Sequence, residues 1–114
     1  MLQLEHLAAL LENHRAAASA RVQEFPLGGR PFAFNSRPAI MGVVNLSRDS
    51  TYRHSVAVST ESAIRRARIM HAQGAGVVDL GAESSTLRAA RVGDSDQAAA
   101  LVPVIEALTE AGVP

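Results

Sequence analysis

The feature that most constrains this chain is a pair of short apolar runs that end in polar side chains. The first, AIMGVVN, carries five apolar residues from Ala39 to Val44, broken only by Gly42, and stops at Asn45. The second, GVVDLG at 76–81, has one acid, Asp79, set inside it. Neither alternates with a period of two, so each reads as a strand covered on both faces, the habit of parallel sheets. Between them, STESAIRRARIMHAQ at 59–73 places Ala63, Ala67 and Met70 on one helical face with Ile64 beside them. Ser59 or Thr60 can cap that helix, Glu61 suits its first turn, and Gly74 stops it. After the second run, DSDQAAALVPVIEALTEAG reads as another helix, capped by Asp94 or Ser95, lined by Leu101, Ile105 and Leu108, and ended by Gly112. Pro103 predicts a kink or a split in it. The order strand, helix, strand, helix is the rhythm of an α/β protein.

Ahead of this unit, LQLEHLAALLENHRAAASA at 2–20 reads as a helix with Leu4, Leu7 and Leu11 in a stripe and Leu10 beside it. EFPLGGRPFAF then reads as a short hairpin turning at Gly28 and Gly29. The chain has 114 residues, enough for one small domain, yet two parallel strands leave apolar edges unpaired. It therefore reads as the first part of something larger, or as one component of an assembly or oligomer. Its 11 basic and 11 acidic residues cancel, which argues against a nucleic-acid or anionic-membrane surface. No apolar run is long enough to span a membrane, and the start lacks the order of a secretory signal. The absence of cysteine excludes a disulfide frame, a thiolate metal site and thiol catalysis, and fits a cytoplasmic protein.

In α/β folds the ligand lies at the carboxyl ends of the strands, and right-handed crossovers bring neighbouring ends to one rim. Here that rim holds Asn45, Ser47, Asp49 and Ser50 from the first loop, and Asp79, Glu83, Ser84, Ser85 and Thr86 from the second. An amide, three carboxylates and several hydroxyls suit a hard cation with the phosphate it bridges, or a ring with amino and amide-like edges. Plainer roles stand beside these. Asn45 can be a turn former, and Asp49 with Ser50 an Asx or capping turn. Glu83 can be a structural clamp. Asp79 is expected to be buried or at a pocket floor, where an acid needs a partner. His6, His14, His54 and His71 have no metal-ligand spacing, and Arg65, Arg66 and Arg68 fit the solvated face of their helix.

IMGVVNLSRDS, followed about thirty residues later by GAGVVDLGAESS, resembles the two N-terminal signatures of the dihydropteroate synthase family. Those signatures read roughly I-M-G-[VI]-[LV]-N-V-T-P-D-S-F-S-D-G-G and G-A-[DE]-I-[IV]-D-[VI]-G-G-E-S-T-R-P. The resemblance implies a TIM (β/α)8 barrel, of which 38–114 would be the first two βα units and 1–37 a leading helix and hairpin. It implies a magnesium-assisted transferase of folate biosynthesis that joins a dihydropterin pyrophosphate to p-aminobenzoate. By the same resemblance, Asn45 helps hold the metal and pyrophosphate, Asp79 is the pocket aspartate, and Ser85 stands for the threonine that contacts the leaving group. Asp79 and Ser85 are then the catalytic candidates. Asn45, Asp49, Ser50, Asp79, Glu83 and Ser85 are the substrate-binding ones, with Asn45 also the metal ligand.

The departures fall mainly in the stretches matching two loops that, in the family this chain resembles, order around p-aminobenzoate. Arg48 and Thr51 replace the proline and phenylalanine of T-P-D-S-F, and Arg53 replaces the next aspartate. Thr86 and Leu87 replace the arginine and proline of S-T-R-P, while Ala82 and Gly76 are milder changes. The pyrophosphate anchor is kept and the p-aminobenzoate side is rewritten, which predicts weak turnover with that amine. The alternative is a degenerate, non-catalytic homologue acting as an interaction or regulatory module through its strand edge.

Overall fold

The computed structural model describes residues 1–47, 56–86 and 89–114. Asp49 and Ser50, with Arg48, Thr51, Arg53, His54, Leu87 and Arg88, lie outside the described residues. The element order is α1 (Leu4–Asn13), α2 (Arg15–Ala18), β1 (Pro26–Leu27), β2 (Arg30–Pro31), β3 (Met41–Asn45), α3 (Thr60–Ala72), β4 (Val77–Gly81) and α4 (Asp94–Glu110).

The parallel pair expected from the two apolar runs is present, with β3 and β4 in register from Met41 against Val77 to Asn45 against Gly81. Residues of even number on both strands, Gly42, Val44, Val78 and Leu80, face α3 and α4. Val44 is fully buried there with Ala63, Ala67, Val104 and Leu108. Small side chains set this spacing. A Cβ added at Gly42 would stand 3.0 Å from Met70 Sδ, a tight approach that the Met70 side chain would have to yield to.

The odd-numbered face departs from the expectation of two-sided cover. Met41 is 58% exposed and Asp79 is exposed, so this face has no helix over it among the described residues. The reason is topological. Connections of one hand put both helices on the same side of the pair.

α3 begins where its local chemistry says. The Ser59 hydroxyl accepts from the Ser62 amide at 3.2 Å, and the Ser62 hydroxyl accepts from the Ser59 amide at 3.0 Å. It ends at Gly74, whose φ of 109° lets the Ala75 amide turn back to the Met70 carbonyl at 3.0 Å. His71 Nδ1 donates to the Ala75 carbonyl at 2.9 Å across the same end. Gly112 closes α4 in the same manner, with the Val113 amide bonded to the Leu108 carbonyl at 2.9 Å. The Pro114 carbonyl then accepts from the Val78 amide at 2.9 Å, alongside β4.

Three expectations need correction. α4 is not capped by Asp94 or Ser95. Gly93 is its cap without a side-chain bond, and Asp94 is its first residue. Of the two outcomes expected at Pro103, a kink or a split, the split is absent: α4 runs unbroken past it, with Val104 and Leu108 buried on its inner face and Pro103 exposed. The first helix does not reach from 2 to 20. It breaks at His14 and continues only as α2, and neither piece buries a residue. Its leucine stripe is therefore exposed.

The hairpin is present, with Gly28 and Gly29 both at positive φ as a two-residue turn requires. Arg30 Nη2 donates to the Gly112 carbonyl at 3.0 Å, which ties the hairpin to the end of α4. Among the described residues no helix is long and apolar enough to cross a membrane.

Candidate functional site at the strand ends

The carboxyl rim of β3 and β4 is held by two backbone bonds. The Leu46 amide donates to the Gly81 carbonyl at 2.7 Å, and the Ala57 amide donates to the Asn45 carbonyl at 2.7 Å. The first continues the parallel ladder past Asn45. The second brings the segment at Val56 back beside β3. Between these bonds the Asn45 side chain leans over its register partner. A Cβ placed on Gly81 would stand 2.8 Å from Asn45 Oδ1, closer than such atoms come. Gly81 thus leaves the space that the Asn45 amide occupies.

Asp79 lies on the same face as Asn45, two register pairs deeper, opposite Val43. It is exposed, so of the two expected placements, buried or at a pocket floor, the buried one is corrected. Among the described residues nothing covers the odd face at Asp79, which keeps it in water.

Glu83 turns to other work. Its Oε2 accepts from the Val92 amide at 2.7 Å, and its Oε1 pairs with Arg91. Those bonds, the Val92 amide foremost, hold its carboxyl below the usual 4.5. The clamp reading of Glu83 is the one the geometry supports.

Ser84 is buried, its hydroxyl 2.9 Å from that of Thr86 and accepting from the Thr86 amide at 3.3 Å. Ser85, between them, is exposed. This small turn sends the flanking hydroxyls to each other and leaves the middle one to solvent.

The structure therefore gathers Asn45, Asp79 and Gly81 on one face, with Ser85 on the loop that leaves it. It engages Glu83 with Val92 and Arg91. Two participants escaped the sequence reading. Gly81 had the signal of a glycine directly opposite Asn45 once the strands are paired. Arg91 had none, because its partnership with Glu83 spans a loop with no periodic pattern.

Magnesium fits this rim in one manner. Among the described residues no three carboxylate or histidine groups converge on a metal position. An ion that keeps its waters and shares phosphate oxygens needs only one or two protein oxygens, and the Asn45 amide offers one.

A family model described as pterin binding enzyme matches residues 41–114. The mitochondrial folate synthesis bifunctional protein of Arabidopsis thaliana is 34% identical over 83 residues, covering 73% of this chain and 15% of that protein. The dihydropteroate synthase type-2 of Escherichia coli is 38% identical over 80 residues, covering 70% of this chain and 30% of that one. The crystal structure of Yersinia pestis dihydropteroate synthase with a sulfonamide drug complex superimposes with a TM-score of 0.67 at 31% identity. That alignment takes in 75% of this chain and 31% of the Yersinia chain. The chain thus spans less than a third of the length of each. With both strand signatures inside the matched region, the chain belongs to the pterin-binding enzyme family, among relatives that are dihydropteroate synthases of folate synthesis.

Proposed function

We propose that this chain supplies the pyrophosphate corner of a dihydropteroate-synthase-like transferase. Residues 38–114 would be the first two βα units of a (β/α)8 barrel, and residues 1–37 a leading helix and hairpin. In the reaction, an arylamine nitrogen such as that of p-aminobenzoate bonds to the pterin methylene carbon. The carbon–oxygen bond to pyrophosphate breaks, and the amine loses a proton. The observation that carries this reading is the Asn45 amide seated over Gly81 at the carboxyl rim. It supports a role for Asn45 in holding the pyrophosphate end of the substrate.

When bound, magnesium supplies neutralisation of the charge that gathers on the departing pyrophosphate. Asn45 would be its side-chain ligand from this chain. The exposed Ser85 hydroxyl would donate to the same oxygens, where charge develops as the bond breaks. Asp79, on the same face, would accept hydrogen bonds from the amino and ring N–H groups of a pterin. Asp49 and Ser50 remain proposed contacts from the first loop.

Titration calorimetry with pterin pyrophosphate and magnesium tests the reading. Binding that is lost in Asn45→Ala supports it, and equal affinity in both proteins overturns the role of Asn45.

A second reading, an interaction module without catalysis, draws support from the bare sheet face and the exposed leucines of α1. It expects a stable oligomer with no pterin affinity, and a pterin-binding monomer in sedimentation excludes it.

A further inference from the structure

Glu83 stands two residues beyond the end of β4, and Val92 two residues before α4. The loop between them carries the Ser84–Thr86 turn. Both backbone groups of Val92 are held by side chains from these two ends. Its amide donates to Glu83 Oε2 at 2.7 Å, and its carbonyl accepts from Gln97 Nε2 at 3.0 Å. Glu83, Val92 and Gln97 thus link the rim of β4 to the first turn of α4, a helix with no side-chain cap of its own.

Arg91 adds an ion pair, but its side chain is 84% exposed, whereas that of Glu83 is 20% exposed. An exposed pair contributes little, so the bond to the Val92 amide is the main tie. Without it the loop loses this tie between its two ends, one residue from the buried Ser84.

We infer that Glu83 is a positioning residue, whose hold on the Val92 amide fixes the turn that presents the Ser85 hydroxyl at the rim. Its consequence for ligand rests on the functional reading above. Its consequence for the backbone does not.

The test uses the whole chain, isotope-labelled, as parent, E83Q, E83A and R91A. Heteronuclear NOE values report the order of Ser85 and Thr86, and amide exchange reports Val92. In E83A the two turn residues should lose order, and Val92 exchange should quicken by about tenfold. E83Q, which still offers a carbonyl oxygen to the Val92 amide, should restore both. R91A should stay near the parent.

Unchanged order at Ser85 and Thr86 in E83A overturns the inference. If E83A fails to fold, E83D takes its place with the same expected and overturning results, since its carboxylate is one methylene short of Val92. The same proteins are then titrated with magnesium pyrophosphate. E83A should bind about tenfold more weakly, with rescue by E83Q. Loss of binding in Asn45→Ala but not in E83A would remove Glu83 from ligand positioning. A parent that binds no magnesium pyrophosphate overturns the functional reading, while the backbone measurements still decide whether Glu83 orders the turn.

Discussion

Single atoms decide what this rim can hold. Gly81 matters because of what it lacks, since a Cβ there would collide with Asn45 Oδ1 at 2.8 Å. Gly81→Ala should push the Asn45 amide aside while the strand pairing survives. The expected stability loss is small, about 1 to 2 kcal/mol by denaturant melting. The expected loss of magnesium pyrophosphate affinity is on the order of tenfold by calorimetry. A variant that binds like the parent would show that the position of the amide is unimportant. Glu83 has a pH signature. The Val92 amide and Arg91 hold its carboxyl below the usual 4.5 in the folded chain. Its stabilising contribution is therefore complete above that value and disappears as pH falls through the lower folded-state value. The protection factor of the Val92 amide, its exchange rate corrected for the intrinsic pH dependence, should hold from neutral pH down to about pH 4.5 and fall only below it. The same curve in E83Q should lack that step.

Helices and turns show which local rules were enough. The ends of α3 were legible because its cap chemistry is contained in a few adjacent residues, Ser59 with Ser62 at one end and Gly74 at the other. Ser59→Ala should cost about 1 kcal/mol, read as a drop of several degrees in melting temperature, and Ser59→Asp should recover it. The hairpin was legible for the same reason, through two adjacent glycines at positive φ. The start of α4 was not legible. Asp94 and Ser95 are good capping residues, but the loop ahead of the helix is held by Glu83 from the end of another element. Pro103 did not split the helix, because the buried Val104 and Leu108 keep it running past the proline. The leucine stripe of α1 is a real amphipathic pattern, yet a pattern says which face wants cover and not whether cover is present.

At the scale of the whole molecule, the chain is one thin layer of helices on a two-stranded sheet. Its radius of gyration is 17.9 Å, against about 13 Å for a compact domain of this length. The N-terminal helices that bury nothing and the uncovered odd face of the sheet account for that extension. What core there is centres on Val44, which has no exposure, so Val44→Ala should remove about 2 kcal/mol. That is a large share of what so small a core can supply, and it would be measured as a lower urea midpoint at unchanged m-value. The sequence by itself determined the order of elements, the parallel pairing, the ends of α3 and the family, because each depends on residue types at short spacing or in a fixed motif. It also named Asn45, Asp79, Glu83 and Ser85 as the polar residues of the rim. Only the tertiary structure decided that Asp79 lies on an open face, that Glu83 is spent on Arg91 and Val92, and that Gly81 makes room for the Asn45 amide. The physical reason is that these outcomes depend on register and on contacts across loops. Two strands must be aligned before a glycine in one can make space for a side chain in the other.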